Sequence, residues 1–295
     1  GTPEGKKWFE QLRNEFSSNT LWQQEMEMDY GAKRGQLIFP EFRRDVHIIS
    51  ESRVPERLTR YCAIDPHPRT QHAVLWIGVD AWEDYYVYRE LWRSKVYGTP
   101  QSLRDTDEDN HFTTKEMAGA IAFLEGNSIQ WVNPETEDEF GIYQEEPGGE
   151  VIAERFMDQA GKGFRARGGE GTPEESYADL YHAYGISCRD PIKAIATGED
   201  AIHQALKTRK HEIYGEWPRL HISNQCPELI LEMEKWRFKT RSRGLDEKEL
   251  WQEGIEARRH MIDNLRYLLT ADLNWIPEMA SRRQRDEKHS SLGLR

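Results

Sequence analysis

Cysteine is scarce in this 295-residue chain: Cys62, Cys188 and Cys226 stand far apart and share no paired spacing. That excludes a disulfide framework and a zinc site built on close cysteine pairs, and leaves reduced, buried thiols as the expectation. Long apolar runs are missing as well. No stretch approaches the roughly 18 consecutive apolar residues that a bilayer-spanning helix needs, and the start GTPEGKKWFEQLRNEF lacks the apolar core of a secretion signal. A cytosolic protein without a membrane partner is expected. Positive charge is outweighed, with 40 Lys and Arg against 52 Asp and Glu and a net charge of −12. Such a balance argues against a protein that coats nucleic acid by neutralising phosphates, yet it allows an enzyme whose clustered carboxylates bind divalent cations. Short basic runs, Lys162 to Arg167 and Arg282 to Arg285, could still touch a DNA backbone. Nucleotide loops are absent too. The opening GTPEGK is one residue short of GxxxxGK[ST] and follows no strand, and GKGFRARGGEG lacks dinucleotide-binding spacing. No nucleophile elbow supports Ser-His-Asp chemistry.

What is present is aromatic: 10 Trp, 12 Tyr and 10 Phe supply core material that disordered chains lack. The first residues read as helical, with Thr2 as cap, Pro3 at the first helical position, and a second helical run near Leu21 to Met28. GQLIFPEFRRDVHII then suits an extended connector, so residues 1–55 are expected to form an arm or linker. From Arg60 the pattern changes to strands: RYCAI, AVLWIGV and YYVYREL, joined by DPHPRTQH and DAWED. Those loops are too short for a crossover helix, so the three strands should form an antiparallel meander.

Helices and strands alternate afterwards. A capping box from Thr113 to Glu116 opens a helix with Met117, Ile121 and Leu124 on its apolar face. Ser128 to Tyr143 suits a hairpin, and VIAERFM a strand that ends at Asp158. A second capping box, Thr172 to Glu175, should open a helix ending at Gly185, followed by the strand ISCR. A helix over Asp200 to Lys210, a strand at RLHIS, a helix after Pro227 and a helix from Glu256 to Thr270 complete the pattern. The residues 277–295 read as a flexible tail. A meander followed by alternating helices and strands predicts an α/β fold, a mixed sheet flanked by helices, over residues 56–276.

Candidate chemistry sits at strand ends and on the last helix. Asp65 directly follows RYCAI, where a rigid sheet can hold a carboxylate in place, and Asp-Pro can equally start a turn. Asp158 follows the later strand. Glu150 and Glu154 compete with it, because alternation puts Glu154 and Asp158 on one strand face. His260 and Asp263, three residues apart in ARRHMIDNLRYLL, project from one helix face, beside an apolar stripe of Met261, Leu265 and Leu268. A histidine and a carboxylate so spaced can share a metal site, or the histidine can orient a ligated water.

Three passages, RYCAIDPHPRTQHAVLWIGVDAWEDYYVYRELW, VIAERFMDQAG and HMIDNLRYLL, resemble the C-terminal nuclease half of the large terminase subunit of tailed bacteriophages. GEWPRLHISNQCPELILEMEKWRF is similar to the strand and helix that precede its last metal-ligating helix. The resemblance spans roughly residues 55–275 and implies a ribonuclease H-like fold with two divalent ions, Mg²⁺ or Mn²⁺, held by Asp65, Asp158 and Asp263 with His260 adjacent. It implies cleavage of double-stranded viral DNA concatemers in the host cytoplasm, with the portal protein and the small terminase subunit as partners. Arg259 stands where the family often has another acid. The motor's phosphate loop is not in these residues, so the chain is expected to be a fragment or a separately made nuclease domain. Another ribonuclease H-like nuclease, such as a resolvase, or a catalytically weak portal-docking module are the alternatives.

Overall fold

The computed structural model describes residues 37–67, 72–92, 112–133, 139–158, 176–192, 195–237 and 259–280. Its centre is the expected meander: β2 (Thr59–Asp65), β3 (Ala73–Val79) and β4 (Tyr85–Leu91) pair antiparallel in sequence order. The DAWED turn closes because Asp80 Oδ1 accepts from the backbone N–H of Trp82 at 2.9 Å and of Asp84 at 3.0 Å. Three further strands join in parallel. β7 (Ile152–Met157) lies beside β2, while β10 (Leu220–Ser223) and then β1 (Ile48–Ile49), which follows the short helix α1 (Arg44–His47), extend the sheet beyond β4. The order is β1-β10-β4-β3-β2-β7.

The central strands are apolar at nearly every position because both faces are covered, and alternation sorts their side chains into two cores. Cys62, Ile64, Val74 and Trp76 pack against α2 (Thr114–Leu124) and α3 (Tyr177–Ala183). Tyr61, Ala63, Leu75, Ile77 and Val79 face the opposite way, toward α4 (Ile195–Leu206), α5 (Pro227–Lys235) and α6 (His260–Thr270). The result is an α/β fold, a mixed sheet opened by the expected antiparallel meander and set between two helical layers. α2 begins with the expected capping box at Thr113 and Glu116, and Gly185, at φ +83°, follows the C-terminus of α3. The hairpin is present as β5 (Ser128–Val132) and β6 (Phe140–Gln144).

Several expectations need correction. Residues 37–49, expected in the linker, belong to the domain: Phe39 is fully buried, Ile38 N–H donates to Trp236 O, and β1 is an edge strand of the main sheet. The connector's apolar residues are core material read in isolation from the surface they cover. The helix expected over 200–210 begins at Ile195 and stops at Leu206, and Thr208–His211 instead forms β8, paired with β9 (Gly215–Pro218). Gly215, at φ +77°, allows that tight hairpin. ISCR contributes an isolated parallel bridge, Phe156 with Arg189, and no strand. The tail starts with a short helix, α7 (Pro277–Ala280), whose Ala280 is buried. The helix α3 is opened by Ser176 and Asp179; the Thr172 to Glu175 box lies outside the described residues, as do the helices read in residues 1–36 and the basic runs at 162–167 and 282–285. The three cysteines are free thiols, Cys188 only half-buried. Among the described residues no helix is long and apolar enough to cross a membrane.

Candidate active site

Asp65 is the last residue of β2, and Asp158 immediately follows β7. These strands run parallel with Ile64 opposite Met157, so the next residue on each, a carboxylate, leaves the sheet at the same level. Two-residue alternation puts Asp65 on the face of Ala63 and Asp158 on the face of Phe156, and that is the face covered by α6. The helix is fixed there by Met261, Ile262, Leu265 and Leu268, each fully buried, and by Asn264 Nδ2, which donates to Ala73 O at 3.0 Å.

From a stripe beside that apolar face α6 then brings His260, Asp263 and Tyr267, at i, i+3 and i+7, to the two strand-end acids. His260 Nδ1 lies 2.6 Å from Asp65 Oδ2, and Tyr267 OH donates to Asp158 Oδ2 at 2.9 Å. Asp263 pairs with Arg266 through Nη1 and with Arg259 Nε at 3.4 Å. The Trp92 and His67 rings flank the His260 ring, with centroids 4.9 and 5.3 Å away. Burial raises the Asp263 carboxyl above its ordinary range, Arg266 opposes that shift, and Asp65 adds to it. Burial also raises the Tyr267 phenol far above its ordinary value, helped by Asp65, Asp263 and Asp158. The phenol is therefore a hydrogen-bond donor at any physiological pH. All four residues singled out in the sequence meet at one end of the sheet.

The two competing glutamates do not join them. Glu150 is buried and accepts from Tyr88 OH at 3.0 Å and from both Nη atoms of Arg89 at 2.9 Å. Glu154 stands level with Tyr61, four residues back along the strand, and pairs with Arg189 at 2.5 Å. Sequence reasoning quoted Arg266 and Tyr267 without giving them a role, and missed Glu232. The i+3 spacing of Arg266 from Asp263, and the i+7 spacing of Tyr267 from His260, carried the signal.

Glu232 sets the first turn of α6. Arg259, at the N-cap, makes no side-chain cap bond; instead Glu232 of α5 accepts from the N–H of Ile262 at 2.9 Å and of Met261 at 3.4 Å. Glu90 of β4 does the same for α5, accepting from Glu228 N at 2.8 Å and Leu229 N at 3.0 Å. A relay of two carboxylates, Glu90 half-buried and Glu232 buried, thus links the sheet to the helix that carries His260 and Asp263. Burial pushes Glu90 up to about 7 and Glu232 up to about 9, although the backbone N–H groups pull both down. A carboxyl raised from 4.5 contributes stability that is full below that value and is lost as pH rises through the folded-state value. Between pH 7 and 8 Glu90 has largely titrated and Glu232 has not. The melting temperature should fall across that interval, and less steeply in Glu232→Gln, which keeps an acceptor oxygen but cannot ionise. Circular dichroism melts of both proteins decide it, and equal slopes would rule Glu232 out as the source.

No family model matches the sequence, and no curated protein matches it significantly. Solved structures do. The large terminase of a thermophilic bacteriophage, in complex with ADP, superposes at TM-score 0.56 and 13% identity, over 89% of this chain and 51% of that one. The same terminase in complex with ATP-gamma-S gives 0.55 and 13%, over 92% and 53%. The fold is terminase-like. The P22 large terminase nuclease domain is also matched, at TM-score 0.48 and 11% identity, over 80% of this chain and 92% of that one. This chain spans about half the length of the thermophilic phage's terminase. At 13% identity that likeness shows a shared fold, and the chemistry has to be argued from the site.

The donor set is chemically suited to a hard divalent cation, being three carboxylates, from the last residue of β2, the residue after β7, and α6. Their present orientation is a different matter. Among the described residues no three His, Cys, Asp or Glu side chains stand in an arrangement that could hold a metal ion. Their current partners explain why: His260 engages Asp65, Tyr267 engages Asp158, and Arg266 with Arg259 engages Asp263.

Proposed function

We propose that this chain is a metal-dependent DNA endonuclease of the large-terminase type, cutting double-stranded viral DNA concatemers during genome packaging. One observation carries the reading: carboxylates from β2, from the end of β7 and from α6 converge around a single tyrosine at one end of a terminase-like sheet. In this reading Asp65, Asp158 and Asp263 hold two Mg²⁺ or Mn²⁺ ions. The ions, when bound, activate water and stabilise the attacking and leaving oxygens of the phosphodiester.

The protein's own groups do the rest. Arg266 and Arg259 balance the charge of Asp263. His260, held on Asp65 and between Trp92 and His67, orients the Asp65 carboxylate and can carry a proton at its second ring nitrogen. Double-stranded DNA is the substrate, the basic runs at 162–167 and 282–285 are its candidate backbone contacts, and the portal and small terminase subunit are the partners. The reading places the protein in the host cytoplasm.

Plasmid DNA incubated with the protein and Mn²⁺ or Mg²⁺ tests it. Nicking and linearisation that stop on chelation, and that fail in Asp65→Ala, Asp158→Ala and Asp263→Ala, are expected. Cleavage undiminished in all three variants, or none by the unmodified chain, would sink the proposal.

A further inference from the structure

We infer that His211 is a proton-operated switch of the β8–β9 hairpin: when neutral its ring caps the tip of the hairpin, and when protonated it turns to Asp84 and releases Ile213 and Tyr214. The inference does not depend on the nuclease reading, because the hairpin meets the sheet where β3 ends and β4 begins, away from Asp65. The backbone N–H groups of Ile213 and Tyr214 donate to His211 Nδ1 at 3.1 and 3.3 Å. A ring nitrogen that accepts carries no hydrogen, so the neutral imidazole holds its proton on Nε2. That nitrogen faces Asp84 Oδ2 at 3.6 Å, just beyond hydrogen-bond reach. Both atoms are buried, and among the described residues neither has a hydrogen-bond partner. A donor and an acceptor thus stand side by side unpaired, at a cost, while Nδ1 holds the ring on the tip.

Protonation reverses that choice. A charged imidazole has a donor on each nitrogen, so Nδ1 no longer accepts from the tip and instead opposes its two N–H groups. The same charge is drawn to Asp84, whose Oδ1 accepts from Arg209 Nη2 at 2.5 Å. Burial raises the Asp84 carboxyl, Arg209 opposes that shift, Asp80 behind it adds to it, and charge on His211 opposes it. Arg209 on β8 and His221 on β10 disfavour a further cation here, Tyr214 and Trp82 flank the ring at centroid distances of 4.9 and 5.6 Å, and Glu212 is exposed. The base of the hairpin stays in place, since Arg209 donates to Trp82 O at 2.9 Å and Arg219 to Glu83 O at 2.8 Å. Only the tip is free to respond. It carries Ile213 and Tyr214, exposed beside Trp82, so one buried ring sets the shape of an exposed apolar patch.

Nuclear magnetic resonance of the whole chain, labelled with ¹⁵N in histidine and tyrosine, tests the switch between about pH 8 and pH 5, the range in which histidines change charge. The His211 signals are assigned by their loss in His211→Asn or, should that variant fail to fold, in His211→Gln. At the upper pH the ring should be the Nε2–H tautomer. As it takes up a second proton, the Tyr214 amide should exchange with solvent about tenfold faster than the intrinsic effect of pH explains, the usual worth of one or two backbone hydrogen bonds. In His211→Asn the amide oxygen can still accept from the tip but cannot titrate, so that extra acceleration should vanish. An Nδ1–H tautomer at the upper pH overturns the switch, as does a ring still neutral at the lower one. A protonated ring with an unmoved Tyr214 amide overturns it too. The same acceleration in the substituted chain would assign the effect to Asp84 and remove His211 from the role.

Discussion

Asp65→Ala is expected to lower metal-dependent cleavage by about 10³-fold or more, a loss of ~4 kcal/mol of transition-state stabilisation at 1.36 kcal/mol per tenfold. Asp158→Ala and Asp263→Ala should do the same, because charge stabilisation by a bound ion is worth several kcal/mol and disappears when its cage is opened. The losses should not add. Residues serving one site act as a unit, so a double variant of Asp65 and Asp158 should be little slower than either single one. Single-turnover rates at saturating Mn²⁺ measure this, and full additivity would place the two acids in separate functions. Stability separates the variants further. Asp65→Ala removes a like charge that raises the Asp263 carboxyl, whereas Asp263→Ala strips the buried Arg266 of its partner. Asp263→Ala should therefore be the less stable protein of the two.

Arg266→Met is expected to destabilise the fold by about 3 to 5 kcal/mol, the usual cost of removing one partner from a buried ion pair. Arg266 is only 4% exposed, and its guanidinium serves Asp263 in a site that already contains Asp65 and Asp158. Methionine replaces most of the stem and none of the charge. Close packing leaves little room to adapt: a Cβ placed on Gly198 of α4 would lie 3.0 Å from Cβ, Cγ and Nε of Arg266, so helix and side chain are already in tight contact. Urea unfolding of the two proteins gives the difference. Adding Asp263→Asn to Arg266→Met should recover much of the loss, since the uncompensated carboxylate is then gone. A loss below about 1 kcal/mol would mean that solvent, not Arg266, carries the Asp263 charge.

Where local pattern and local structure coincide, the sequence was readable. Turn chemistry at Asp80 and the apolar runs of β2, β3 and β4 require only neighbouring residues to be understood, and the meander follows from loop length. The capping box at Thr113 is equally local. Reading failed where a partner distant in the chain decides the outcome. Residues 37–49 looked like a connector because nothing nearby reveals that Trp236 and β10 will cover them. Thr208–His211 continued a helical pattern until pairing with Gly215–Pro218 claimed it as a strand.

The site divides along the same line. Sequence alone determined that Asp65 ends a strand and that His260 and Asp263 share a helix face, because both statements depend on the periods of single elements. It could not choose among Glu150, Glu154 and Asp158, since alternation puts the last two on one face. Tertiary structure separates the three through the parallel register of β2 and β7, which sets Asp158 level with Asp65, leaves Glu154 beside Tyr61, and commits Glu150 to Arg89. It also gave Arg266, Tyr267 and Glu232 their work. Each acts on a group whose position is settled only when strand ends and helices pack together, so no period within one segment could have announced it.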